Sequence, residues 1–146
     1  MEQNNQEIIK KDELEQTIAN MHKVVKSMVK PSRYEHSVST GEMAERMCSE
    51  YGENPRLGYL AGLVHDICKD FDHKKLLFLA KQDGKPISDI EMDKKSLLHG
   101  RAAAVFASRY DCVFSRMAFD GIAVCAYVFW RTCHVLESTG AFAAPF

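Results

Sequence analysis

A chain of 146 residues, 46% hydrophobic and 27% charged, suits one globular domain with a real core and excludes general disorder. A formal net charge of -1 and a pI near 6.6 offer no broad basic surface, which excludes a nucleic acid polymer as partner and favours a small phosphorylated ligand gripped locally. Five Cys, odd in number and without paired spacing, and an opening MEQNNQEIIKKDELEQ with neither a charged n-region nor an apolar h-region argue against secretion and for the reducing cytoplasm.

Leu14, Ile18, Met21, Val25, Met28 and Val29 recur at helical spacing with charges between them, and Pro31 ends the pattern. One amphipathic helix is expected over roughly 12–30. A second, about 32–51, contains Val38, Met43, Met47 and Tyr51 and stops at Gly52. Met43 and Met47 read as core packing. Asn54 before Pro55 is an N-cap followed by proline at the first helical position, so a third helix is expected from about 55 to 71. Asp72 caps a fourth helix through Lys81, Gly84 and Pro86 interrupt, and Ser96 or His99 starts a fifth through about Tyr110. Alternating strand patterns are missing over this region, so the expected class is all-α.

Chemistry concentrates on the third helix. The apolar run Leu60 to Val64 ends in His65-Asp66, and an ionisable pair at the end of such a run demands compensation for burial, which a divalent cation supplies to both groups at once. His36 on the second helix and His99 at the start of the fifth are the other candidate ligands. Imidazole nitrogen and carboxylate oxygen suit Fe, Mn, Zn or Ni, one ion or two, and a bundle core drawing ligands from several helices is a recurring solution for such metals. Arg33 and Lys69 read either as solvated cations or as groups facing phosphate, the first with forked donors and the second as a point charge. His22, among Met21, Lys23 and Lys26, reads as surface, and so does His73 beside Asp72 and Lys74.

Three segments, Arg33-Tyr34-Glu35-His36-Ser37, Ala61 to Asp70 with its His65-Asp66 pair, and Leu97-Leu98-His99-Gly100-Arg101, resemble the HD-domain superfamily and within it the YqeK-type symmetrical bis(5'-nucleosyl)-tetraphosphatases. The likeness runs over about residues 20–110. The resemblance implies an all-helical HD bundle with a two-metal iron centre that hydrolyses diadenosine tetraphosphate to two ADP. By position it makes His36, His65, Asp66 and His99 metal ligands, Arg33 and Lys69 substrate-binding, and Asp66 with Lys69 the catalytic pair. The implied partner is a small nucleotide, without a membrane; assembly is left open, a homodimer included.

The expected organisation is a metal-binding helical domain over 1–110 and an atypical apolar tail over 111–146. The tail carries only five of the chain's 39 Asp, Glu, Lys and Arg residues, three of its five Cys and its one Trp, Trp130. Its longest uncharged run, Gly121 to Trp130, is well short of the ~20 residues that span a bilayer. The resemblance implies further ligands in a His-Thr-Thr-Gly-like segment and a late Ala-Asp-Lys motif, but the tail offers His134, Asp111 and Asp120 instead. Read one nucleotide forward, Trp130-Arg131 must encode Gly, while Ala126-Tyr127, Tyr127-Val128 and His134-Val135 can encode His, Thr and Met. A frameshifted tail and an impaired hydrolase are therefore expectations. The alternatives are a phosphohydrolase acting on another nucleotide and a non-catalytic helical module that holds nucleotide or metal.

Overall fold

The computed structural model describes the backbone of residues 2–110 and the side chains of 11–109. The expectations for the tail fall outside the described residues. Among the described residues six α-helices follow in order, α1 (Glu2–Met28), α2 (Pro31–Glu50), α3 (Pro55–Val64), α4 (His73–Ala80), α5 (Asp89–Asp93) and α6 (His99–Tyr110), with 3-10 turns at Lys81–Asp83 and Lys95–Leu98. No strand occurs among the described residues, and none of their helices is long and apolar enough to cross a membrane. The class is all-α.

The first helix begins about ten residues earlier than the apolar pattern suggests, because Glu, Gln and Lys sustain a helix where no apolar seam is needed. Its seam of Leu14, Ile18, Met21 and Val25 is buried. At the end of α2, Gly52 adopts φ +75, Glu53 N–H donates to the Cys48 carbonyl at 2.8 Å and Gly52 N–H to Ser49 at 3.4 Å, a Schellman stop that turns the chain into α3. The Asn54 side chain accepts from the amides of Arg56 and Leu57, as its N-cap position demands. All of Gly58–Val64 is buried, with α3 packed against both α1 and α2. This sandwiched helix is the centre of the core, and it delivers the His-Asp pair.

Two sequence expectations change here. The third helix ends at Val64 instead of near 71, and the chain continues as tight turns with Ile67 N–H donating to Val64, Lys69 N–H to Asp66 and Phe71 N–H to Cys68. His65 Nδ1 donates to the Gly62 carbonyl at 2.6 Å, diverting a bond that a continuing helix would make through backbone alone. Met43 is 38% exposed and not core: the inner face of α2 is built from Ser37, Thr40, Gly41 and Ala44, which bring the helices too close for a methionine. The short α5 was not expected, although Ser88 and Glu91 form the capping box that starts it.

His22 is half-buried, not a surface residue. Its Nδ1 lies 2.9 Å from the Tyr34 hydroxyl and its Nε2 3.0 Å from the Tyr59 hydroxyl, so one neutral imidazole, donating through one nitrogen and accepting through the other, ties α1 to α2 and α3. Burial, reinforced by the Arg56 charge, pushes the His22 pKa below its ordinary 6.5. The unfolded chain then binds the proton more readily than the folded one, so stability is complete above about 6.5 and falls as pH drops below it. Denaturant titrations at several pH values are expected to show that decline, and His22→Gln is expected to make it shallower. An unchanged slope in the variant would remove His22 from the account.

Candidate metal centre

Asp66, with its side chain only 7% exposed, is the hub of the site. Its Oδ1 faces His99 Nε2 at 3.3 Å, His65 Nε2 at 3.5 Å and Lys69 Nζ at 3.7 Å; its Oδ2 faces Arg33 Nη1 at 3.1 Å and His36 Nε2 at 3.9 Å. One ligand atom from each of His36, His65 and Asp66 lies within 4.8 Å of the others. Two donors that share an ion at about 2.1 Å stand roughly 3.0–3.4 Å apart, so the observed separations around the carboxylate suit donors that need only close slightly on a cation. The six residues named from the sequence thus meet at one carboxylate, three of them on the turn from His65 to Lys69.

Local structure prepares the imidazoles for this role. His65 Nδ1 donates to Gly62 and His99 Nδ1 to the Ser96 carbonyl, each at 2.6 Å, which turns both Nε2 atoms toward Asp66. Burial is the largest influence on His65 and, with the His36 and His99 rings facing it, outweighs the pull of Asp66, so its pKa is lowered and the ring stays neutral, the form that binds metal. Burial pushes the Asp66 carboxyl up, but contact with His99 and the nearby His65 and Lys69 more than reverse this, and it is held well below the usual carboxylate range. A carboxylate facing imidazole nitrogens is a donor set that fits a divalent transition metal.

The exposed flank is cationic. Arg33 reaches both Asp66 and, through Nη2, Asp70 at 3.2 Å, while its buried Nε has no partner. Lys69 Nζ lies 3.3 Å from His99 Nε2. A cleft of about 230 Å³ lined by Lys30, Ser32, Arg33 and His36 opens beside them. Neighbouring Cys68 is fully buried, and burial pushes its thiol up to about 12, so it supplies no thiolate.

A residue that the sequence reading did not single out for a role secures the approach to His99. Arg101, two residues on, pairs with Asp83 through Nε at 2.7 Å and Nη2 at 2.8 Å, with Glu91 at 3.0 Å, and with the Pro86 and Lys85 carbonyls. It clamps the 81–93 segment onto α6. No single local signal marks this, since its partners lie 10 to 18 residues away.

The sequence pattern of the family described as "HD domain" matches residues 33–118, from Arg33 through the His65-Asp66 pair and eight residues past Tyr110. The chain belongs to the HD-domain family. Among solved structures it is similar to one described as a "predicted HD superfamily hydrolase involved in NAD metabolism" from Clostridium acetobutylicum, with a TM-score of 0.61 and 21% identity over 77% of this chain and 65% of that one. The chain thus spans less than two thirds of that structure's length. A comparison with curated proteins finds no match. The cluster around Asp66, from Arg33 to His99, lies within the matched residues.

Proposed function

We propose that this HD domain is a metal-dependent phosphohydrolase that cleaves the phosphoanhydride of a dinucleoside polyphosphate, diadenosine tetraphosphate to two ADP. The observation that carries the reading is the convergence of His36, His65 and His99 on the two oxygens of Asp66, with Arg33 and Lys69 on the same carboxylate. His36, His65, Asp66 and His99 would hold the metal, iron in first place, with Mn, Zn or Ni accepted by the same donors. Bound there, a divalent ion would activate water at neutral pH and offset charge on the phosphates.

The chain's own residues do the rest. The carbonyls of Gly62 and Ser96 keep the His65 and His99 rings in the tautomer that presents Nε2. Arg33 and Lys69 receive the phosphate oxygens, Arg33 through two parallel donors and Lys69 through a single charge. The cleft beside Lys30, Ser32, Arg33 and His36 admits the polyphosphate at the first turn of α2. Asp66 orients the whole set. The similar Clostridium structure is described as a hydrolase involved in NAD metabolism, which makes NAD a second nucleotide to test beside diadenosine tetraphosphate.

A second reading, a module that holds metal or nucleotide without cleaving it, is favoured by the tail, whose only Asp residues are Asp111 and Asp120. One experiment separates them. Metal analysis of the purified chain should find Fe, Mn, Zn or Ni, and a panel of diadenosine tetraphosphate, NAD, ATP and p-nitrophenyl phosphate should show chelator-sensitive release from the first. Metal without turnover supports the holding module. No metal, and no loss of thermal stability with chelator, defeats the hydrolase.

A further inference from the structure

Two buried side-chain polar atoms have no hydrogen-bond partner among the described residues, the Ser37 hydroxyl and the Arg33 Nε, and both belong to α2. Ser37 is fully buried. A serine inside a helix often returns its hydroxyl to the carbonyl four residues back, and this one does not. Each such atom costs stability if left alone, and nearly all buried polar groups in folded proteins have a partner. Here the two stand one helical turn apart, beside the metal centre.

The helix crossing places them behind that centre. Gly41 lies against Gly62 and Ala44 against Gly58, so α2 and α3 run antiparallel. Ser37, one turn before Gly41, therefore comes level with the His65-Asp66 pair that follows Gly62. Residues four apart on a helix have Cβ atoms about 5–6 Å apart, a gap that the arginine stem crosses. The Ser37 hydroxyl is thus within reach of the Arg33 Nε–H, directly or across a single water. Arg33 Nη1 and Nη2 are committed elsewhere, to Asp66 at 3.1 Å and Asp70 at 3.2 Å.

We infer that Ser37 is a positioning residue for phosphate: its hydroxyl takes up the Nε–H of Arg33 and fixes the plane of the guanidinium, so that the Nη donors meet phosphate oxygens already oriented. The inference rests on the proposed function, in which Arg33 receives phosphate, and deepens it by assigning a group that itself touches no ligand atom. A planar guanidinium tethered only through its Nη atoms turns with whatever they bind. Held at Nε as well, it keeps its orientation when phosphate displaces Asp66 or Asp70 from the fork. Order present before binding need not be created by it, so affinity rises. The ligand this favours is a pair of phosphate oxygens, the acceptor that a guanidinium fork matches.

The test is calorimetric binding of Mn²⁺, and of inorganic pyrophosphate to the Mn²⁺-loaded chain, in the parent and its Ser37 variants. Ser37→Ala removes only a hydroxyl and suits a helix. It is expected to weaken pyrophosphate about ten-fold, the loss that follows when a group supporting a ligand is removed, and to leave Mn²⁺ affinity unchanged. Ser37→Cys keeps the volume but offers a weak hydrogen-bonding sulfur, so it should behave like Ser37→Ala. In an Arg33→Lys background, which keeps the charge but has no guanidinium to hold, Ser37→Ala should cost nothing further. Pyrophosphate binding that is unchanged in Ser37→Ala, or parent-like in Ser37→Cys, overturns the assignment and leaves the phosphate site standing. So does a ten-fold loss that persists in the Arg33→Lys background, or an equal loss of Mn²⁺, which would put Ser37 to work through its neighbour His36. A parent chain that binds no pyrophosphate defeats the proposed function and this inference together.

Discussion

Asp66→Asn is expected to abolish metal binding and any hydrolysis while leaving a folded chain. The amide keeps the shape of the carboxylate but removes the anion on which His36, His65, His99, Arg33 and Lys69 all converge. Three imidazoles and an amide then face the Arg33 and Lys69 cations, and a divalent ion entering that set meets repulsion without compensation. The loss in metal affinity should exceed the ~10–100-fold typical of losing a contact that merely supports a ligand. Folding should suffer little, because Arg33 keeps Asp70 and its side chain is 28% exposed. Melting curves across a Mn²⁺ titration check both halves, since an ion that binds only the folded state raises the melting temperature with concentration. A variant that is stabilised by Mn²⁺ as strongly as the parent would show that Asp66 is not the hub.

That hub was legible from one contrast in the sequence, an ionisable pair terminating an apolar run. The structure explains why the contrast was informative, since every residue from Leu60 to Val64 is buried and the pair emerges where the helix stops. The stop itself was not legible. Ile67 and Cys68 continue the helical spacing and are buried, so periodicity sees no break; the end at Val64 belongs to the His65 ring and the Gly62 carbonyl, a side-chain event that apolar patterns do not encode. His22 was misread for the opposite reason. Lys23 and Lys26 follow it, but it falls four residues after Ile18 on the flank of the buried seam, and that spacing was the available signal. Its tyrosine partners sit on other helices and could not be found from α1 alone. The close crossing of α2 and α3 rests on Gly41, Gly58 and Gly62, where an added Cβ would meet atoms of the facing helix at 3.0 Å or less, a contact that no single position in the sequence announces.

Of those glycines, Gly62 is the one where a single methyl group is expected to do the most damage. A Cβ there would stand 2.6 Å from Gly41 Cα, 2.7 Å from Gly41 N and 2.7 Å from the Thr40 carbonyl oxygen. All three are backbone atoms of α2, so no side chain can rotate away and the two helices must separate. Overpacking a core usually costs about 1–3 kcal/mol, and a backbone clash on both sides belongs at the top of that range or above it. For a domain of this size that is a fall in melting temperature of roughly 10 °C or more. The site suffers with the fold: Thr40 lies one turn from His36 on α2, and Gly62 one turn from His65, whose Nδ1 its carbonyl holds. Gly62→Ala should therefore weaken the Mn²⁺-dependent stabilisation in whatever fraction remains folded. Gly100→Ala is the matched control, because its Cβ would meet nothing within 4 Å on a helix that gains propensity from alanine. It should melt at or slightly above the parent. If Gly62→Ala melts alongside Gly100→Ala, the helices tolerate separation and the centre does not depend on how closely α2 and α3 approach.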